Sequence, residues 1–467
     1  MPSPALLDLS RWQFAFTIIF HMTFPAITVG LAVFLAFVYG LYLRTRNPVH
    51  LQIFRFWKKI FAVGFALGVV AGAVITFELG LNWGPFANAT GPVLAPIIGM
   101  EVVTGFFLEA GFIGVMLYGD GRVKERTIFI STCIVALGTV LSTTWIMSAN
   151  SWMQTPSGFT IVDGQFQPTN WGDVIFNPSV VTRYPHMLVA VLISTALLIG
   201  GIAAYYLIKG RVRDFARSTL SIALGVLALL LPLQLDLGDQ VANYVVAYQP
   251  AKLQAIEGNW TSTNTGYNVF AIPDMSQQDN KVLITVPLLG SYLGAKDLSG
   301  NTPTPGLLLT PEADQPNMWP VFWGFRVMFY ASIFMFAAAL IGIVLRLRKR
   351  LYSARWFHKL LVWMTPIGVV AIIAGWVTAE TGRQPYVVYG YLRTSDAVSQ
   401  LAPASLVFSL VGFVCIYLAL FTGWIAYVVR SVRRGPDIVD VADRPEAVES
   451  MAPPAVLAGA GSTSEGA

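Results

Sequence analysis

The stretch VFWGFRVMFYASIFMFAAALIGIVLRLRKR, residues 321–350, carries one charge, Arg326, before it ends in Arg346, Arg348, Lys349 and Arg350. A helix rises 1.5 Å per residue, so roughly 20 apolar residues cross the ~30 Å hydrocarbon core of a bilayer. This stretch is long enough to do so and closes on the basic cluster expected at a membrane surface. Its pattern recurs along the chain. We read about nine such runs, at approximately 13–43, 53–81, 94–118, 127–149, 180–208, 217–238, 319–346, 357–380 and 401–430. No repeat at a fixed period accompanies them. Of the 467 residues, 55% are hydrophobic and 12% charged, about half the charge of a soluble domain. The expected fold is an all-α integral membrane protein.

Lys and Arg set its orientation. Basic residues follow the first run (Arg44, Arg46, Arg55, Lys58, Lys59), the third (Arg122, Lys124, Arg126), the fifth (Lys209, Arg211, Arg213, Arg217), the seventh and the ninth (Arg430, Arg433, Arg434). Of the alternate connections, 82–93 has no charge and 150–179 has only Asp163 and Asp173. By the positive-inside rule the N-terminus lies outside and the C-terminus in the cytoplasm. The net charge of +5 is accounted for by these loops, and no basic stripe outside them suggests nucleic-acid binding. The N-terminal MPSPALLDLSRWQF lacks the basic region and short apolar core of a cleaved signal. Four segments result: helices 1–6 over 1–238, a polar, Pro- and Gly-rich outer loop over 239–318, helices 7–9 over 319–434, and a disordered cytoplasmic tail over 435–467. A loop that long is uncommon unless it is functional or disordered.

Two cysteines, Cys133 and Cys415, sit inside apolar runs as buried small hydrophobes or, less favourably, a disulfide pair. No Cys-x-x-Cys or Cys-x-x-Cys-His motif supports zinc, iron–sulfur or covalent haem. Ionisable groups inside the runs are costly and mark function by default: His21, Glu78, Glu101, Glu109, His186 and Glu380. His21 lies about eight residues into its helix, roughly 12 Å deep, and His186 about six residues into the fifth run. Glu109 lies about 12 Å below Glu101 on one helix. The other two histidines, His50 and His358, neighbour basic loops, where a solvated role is expected. A lone buried His is more often a hydrogen-bonded core residue than a ligand. Two at matching depth beside carboxylates make cofactor ligation an even alternative. Met328, about nine residues into the seventh run, is at a depth compatible with His186, and a His/Met pair is a known haem ligation, although most of the 13 methionines must simply pack.

Six motifs in order, SRWQFAFTIIFH (10–21), EVVTGFFLE (101–109), WIMSANSWMQTPSG (145–158), QPAKLQAIEG (249–258), FWGFRVM (322–328) and ETGRQP (380–385), resemble subunit I of the cytochrome bd quinol oxidases, over about Leu9 to Tyr427. The resemblance implies three haems: a low-spin haem b, a high-spin haem b and a haem d. It makes His186 and Met328 the axial ligands of the low-spin haem, and His21 and Glu380 those of the two high-spin haems, without assigning which holds which. Glu101 and Glu109 resemble the family's proton-path carboxylates. Lys252 and Glu257 fall in its quinol-binding loop, here of the short type; an exposed pair on an ordinary loop helix is the alternative. By charge and placement Arg383, Arg326 and Arg11 are expected at haem propionates. Trp376, one turn before Glu380, either packs between haems or marks the lipid interface.

The implied enzyme sits in a bacterial plasma membrane. It oxidises quinol at the outer face and reduces oxygen to water, building a proton gradient without pumping. Its implied partners are a homologous subunit II and small single-helix subunits. Two other readings stand beside it. A proton-coupled transporter predicts inverted repeats and broken helices. A haem electron-transfer subunit without oxygen chemistry predicts only doubly ligated haem.

Overall fold

The computed structural model describes residues 3–297 and 299–437. Most of the tail expected over 435–467 therefore lies outside the described residues. Sixteen α-helices are described: α1 (Pro4–Thr23), α2 (Pro25–Thr45), α3 (Pro48–Leu81), α4 (Gly84–Glu101), α5 (Phe107–Tyr118), α6 (Glu125–Gln154), α7 (Trp171–Ile175), α8 (Val180–Lys209), α9 (Arg213–Tyr248), α10 (Pro250–Glu257), α11 (Leu289–Ala295), α12 (Met318–Leu347), α13 (Arg355–Met364), α14 (Ile367–Thr381), α15 (Thr394–Ala397) and α16 (Pro403–Arg434). Among the described residues three antiparallel two-stranded ribbons accompany them: β1 (Phe159–Val162) with β2 (Gln165–Pro168), β3 (Tyr267–Asp274) with β4 (Asp279–Val286), and β5 (Tyr386–Val388) with β6 (Leu392–Arg393).

Among the described residues, nine helical rods are long and apolar enough to cross a membrane, one for each run read from the sequence. Several are jointed, and proline accounts for two of the joints. Pro25 has no N–H to give the carbonyl of His21 one turn back; that carbonyl accepts from Phe24 N–H instead, at 3.2 Å, and the rod bends between α1 and α2. Pro366 stands between α13 and α14 in the same way. A third joint is a π turn, Val102–Phe106, between α4 and α5, in which Phe107 N–H donates to the carbonyl of Val102.

The expected boundaries were too tight where a rod outruns its apolar run. The clearest correction is α9, which continues as helix to Tyr248 through ten residues expected to be loop. Backbone hydrogen bonding does not depend on apolar side chains, and the polar extension is supported by Gln240 donating to Asp236 and Asn243 to Asp239, one turn apart.

The basic connections meet at one end of the bundle. There Arg211 donates to the carbonyls of Arg433 and Arg434, Arg346 to Ser221, and Arg46 pairs with Glu125. The charge-poor connections meet at the other end, where Tyr389 N–H donates to Met153 O and Ser399 N–H to Asn82 O. The largest core, with Leu35, Val38, Phe54, Trp57 and Phe61 fully buried, lies between α2, α3, α6, α8 and α9. A second gathers Trp83, Trp152, Phe166 and Val388 toward the charge-poor end.

Close helix approach relies on glycine. Gly64, Gly68 and Gly72 form a stripe on α3, and a Cβ on them would stand 3.1 Å from Thr28, 3.5 Å from Phe24 and 3.1 Å from His21. Small residues of this kind let helices touch where lipid offers no hydrophobic drive. Large apolar side chains such as Phe77, Phe334 and Phe408 face outward, as lipid solvation allows. The rod of α16 is the least buried, with 11% of its apolar window inside the protein.

Two further expectations are corrected. His358 is buried, with Nε2–H donating to the carbonyl of Leu351 at 2.8 Å, because α13 turns Phe357, His358 and Leu361 toward the bundle. Both cysteines are free, and Cys415 is exposed on α16 rather than buried.

Candidate functional site

The expected ligand His21 ends the straight part of α1 and lies over the glycine stripe of α3. Its Nδ1 is 3.1 Å from the carbonyl of Gly68. A carbonyl only accepts, so Nδ1 carries the proton and Nε2 is left with a free lone pair. That is the arrangement of a metal-ligating histidine whose second nitrogen is fixed by a backbone partner. Farther along α3, Glu78 is buried and accepts from Thr17 at 2.6 Å.

Glu380, near the charge-poor end of α14, stands in a dense polar web. Its Oε1 accepts from Asn150 at 3.0 Å and Gln154 at 3.2 Å, both on α6, and its Oε2 pairs with Arg383. Arg183 of α8 donates to Asn150 Oδ1 at 2.6 Å and Ser151 Oγ at 3.0 Å. Lys252 of α10 donates to Gln154 Oε1 at 2.6 Å and to Gln249. Two residues beyond Glu380, a Cβ on Gly382 would lie 2.6 Å from Lys252 Cγ. The web thus joins the loop to the end of α14.

Cationic donors outnumber acceptors here. Arg383 Nε and Nη1 and Arg11 Nε are buried without partners, as is Arg326 Nη2 apart from this web on α12. Guanidinium forks match carboxylates in pairs, so the orphaned donors fit the propionates of a haem. Arg11 spends its other side on Gln384, at 3.2 Å, and stands 3.8 Å from Asp8. Trp376 is half-buried on α14.

His186, on α8, has both ring nitrogens within 3.3 Å of Gln234 Nε2 on α9. Met328, on α12, directs its sulfur at Gly375 of α14, where a Cβ would come within 2.6 Å. Both α9 and α14 pack against α8 and α12. Two residues before Met328, Arg326 is fully buried, its guanidinium 4.3 Å from the rings of Tyr267 and Phe322. It donates to the carbonyls of Asn268 at 2.8 Å and Ile256 at 3.0 Å. Much of its bonding therefore fastens the loop to α12, and Nη2 remains for an acceptor.

Glu101 and Glu109 flank the π turn. Eight residues on a regular helix leave two side chains about 80° apart. A π turn is underwound, which reduces that angle, and both carboxylates lie against one face of α6. Ser142 donates to Glu101 at 2.6 Å, and a Cβ on Gly138, one turn away, would stand 2.8 Å from Glu109 Cγ.

Lys252 and Glu257 are buried, not an exposed loop pair. Burial, and then the charge of Arg183, push the Lys252 ammonium well below the usual lysine range. Burial raises the Glu257 carboxyl, and the nearby Arg326 pulls it the other way.

Asn150 and Gln154 lie in the motif at 145–158 and Gln249 opens the one at 249–258, but the sequence alone assigns a role to none of them, nor to Arg183. Two signals were present: amides four residues apart share a helix face, and Arg183 is a charge inside an apolar run.

A family model for "Cytochrome bd terminal oxidase subunit I" matches residues 9–436. The chain is 32% identical to a cytochrome bd ubiquinol oxidase subunit 1 of Bacillus subtilis, over 92% of this chain and 94% of that one. It is 31% identical to a cytochrome bd-II ubiquinol oxidase subunit 1 of Escherichia coli, over 92% and 97%. Among solved structures, the bd oxidase from Geobacillus thermodenitrificans superposes with a TM-score of 0.86 at 28% identity, over 93% of this chain and all of the matched one.

Proposed function

Since the chain belongs to the cytochrome bd terminal oxidase subunit I family, and is thereby a multi-pass subunit of a bacterial respiratory quinol oxidase, we propose that quinol is oxidised at its loop end and oxygen is reduced to water inside the bundle beside it. The observation that carries this reading is the web in which Lys252 of the loop and Glu380 of α14 share Gln154.

In this reading the charge-poor end is the outer face. His186 and Met328 would both ligate the iron of a low-spin haem b. His21, through Nε2, and Glu380 would each hold one high-spin haem, a haem b and a haem d. The orphaned donors of Arg383, Arg326 and Arg11 would take propionates. When bound, these groups supply iron that carries electrons and, where one position stays open, binds oxygen.

The protein's own residues manage protons and position. A quinol gives up two protons with its two electrons. Glu257, its carboxyl raised by burial, accepts a proton at a pH closer to neutral than an exposed glutamate would, which suits a general base. Lys252 holds the quinol oxygen by hydrogen bonding and stays oriented by Gln154 and Gln249. Protons for oxygen reduction come from the basic, cytoplasmic end. Glu109 and Glu101 hand them along one face of α6, with Ser142 holding Glu101. Taking protons from one side and releasing them on the other separates charge without pumping. The family implies a homologous subunit II, and the apolar outer face of α16 suits a membrane partner. Small single-helix subunits would complete the complex.

The test is a reduced-minus-oxidised visible spectrum of the purified complex, with and without carbon monoxide. A far-red chlorin band moved by carbon monoxide, beside haem b bands, is expected. Haem b bands indifferent to carbon monoxide would instead indicate electron transfer without an oxygen site.

A further inference from the structure

The ribbon β3–β4 is a third of the way into the loop, yet it lies along α12. Twenty residues counted back from Arg346 place the edge of a ~30 Å apolar slab near Arg326 on α12. The same count forward from Arg217 places it near Leu237 on α9. At the ribbon's tip, Met275 accepts from the backbone N–H of Met318, the first residue of α12. Near its base, Tyr330 Oη donates to the carbonyl of Val269 at 2.6 Å, and the Tyr267 and Phe329 rings are 6.2 Å apart. The tip therefore stands clear of the slab and the base reaches its edge.

The outward side chains at that edge are apolar. Val282, Ile284 and Val286 share one face of β4 and are 43, 56 and 41% exposed. Ile284 is paired across the ribbon with Phe270, whose ring meets Trp323 edge-on at 5.0 Å. Trp323 belongs to the outward stripe of α12, with Trp319, Val327, Tyr330 and Phe334 within about 80° of one another on the helix; Trp319, Val327 and Phe334 are exposed. The chain then turns at Leu288, held at φ 64° in the left-handed region that is unfavourable for a large side chain, and Leu288 and Tyr292 are both exposed. The charged groups of the ribbon, Asp274 paired with Lys281 and the neighbouring Asp279, sit at the tip.

We propose that Ile284, Val286, Leu288 and Tyr292 dip into the adjoining lipid leaflet at the boundary between headgroups and acyl chains, anchoring the loop from its second half. The lipid-facing stripe of α12 runs directly into this surface, so the bilayer that solvates one reaches the other. An aromatic among aliphatic side chains at that level is the usual composition of such a boundary. The patch carries no charge, so the contact does not depend on anionic lipid. The inference rests on the depth of the ribbon along α12 and needs none of the haem or quinol assignments.

The experiment uses the intact oxidase complex in phosphatidylcholine nanodiscs, with Cys133→Ala and Cys415→Ala as background. A small fluorophore is attached in turn through Ile284→Cys, Val286→Cys, Leu288→Cys and, as control at the tip, Asp279→Cys. Each is quenched by a nitroxide placed high on the lipid acyl chain and by aqueous iodide. The expected result is several-fold stronger quenching by the lipid nitroxide at 284, 286 and 288, and by iodide at 279. Equal iodide quenching at all four sites would show an open aqueous face, and quenching by neither agent at 284–288 would show another protein covering it; either overturns the proposal.

Discussion

Lys252 and Glu380, 128 positions apart in the chain, are joined by one side chain: Gln154 accepts from Lys252 through Oε1 and donates to Glu380 through Nε2. An amide suits this place because it offers an acceptor to one neighbour and donors to the other. Gln154→Ala leaves both buried partners short of a bond, at about 1–3 kcal/mol each. We expect quinol turnover to fall about tenfold or more, with a higher KM for quinol and a shifted high-spin haem spectrum in the same variant. A change in KM alone would show that the two residues are not coupled through Gln154.

Glu257 sets a pH limit. Its folded carboxyl is raised by burial, so the folded protein keeps this proton above the ordinary glutamate range of about 4.3. Stability from that proton is present below the ordinary range and is lost as pH rises through the raised value. Proton acceptance needs the opposite form, so activity rises with pH across the same window. Glu257→Gln should lower kcat and remove this acid limb from the pH–rate profile; an acid limb unchanged in the variant would assign it to another group.

His21→Ala removes the one imidazole set over Gly72 with Nε2 free. Oxygen uptake should fall at least about 100-fold, or roughly 2.7 kcal/mol in barrier, while the low-spin haem band persists. Oxygen consumption and the visible spectrum of one preparation decide it, and retained uptake would remove His21 from the oxygen site.

Gly375→Val tests Met328. The added side chain enters the space now holding the thioether, so the sulfur must swing away. The expected outcome is a lowered midpoint potential of the low-spin haem, with new carbon monoxide binding at that haem, read by spectroelectrochemistry. An unaltered potential would mean that Met328 is packing and not a ligand.

The membrane rods were legible because lipid imposes a simple rule on composition: each run of some 20 apolar residues between charges became a rod. Their ends were less so. α9 passes through Asp236 and Asp239 as helix, since leaving the lipid does not end a hydrogen-bonded backbone. Sequence alone singled out His21, His186 and Glu380 as costly in lipid. It had no means of showing that Arg326 binds the carbonyls of residues 58 and 70 positions away. Nor did it distinguish His358 from a surface histidine: Arg355 and Lys359 beside it on α13 are exposed, while its own ring turns into the bundle. The π turn has no residue signature at all: VVTGF would serve equally in a regular helix.

That π turn has a consequence for how this segment tolerates change. Between Glu101 and Glu109 the backbone acts as a phase corrector, bringing into line two carboxylates that a regular winding would leave almost a quarter-turn apart. What it requires is a count and not a spelling. Val102, Val103 and Phe106 should accept other apolar residues with little effect, whereas removing or adding a single residue would swing Glu109 away from α6 and leave it facing lipid. Here the chain's constraint is on length, and it is invisible to any comparison that scores residue types one position at a time.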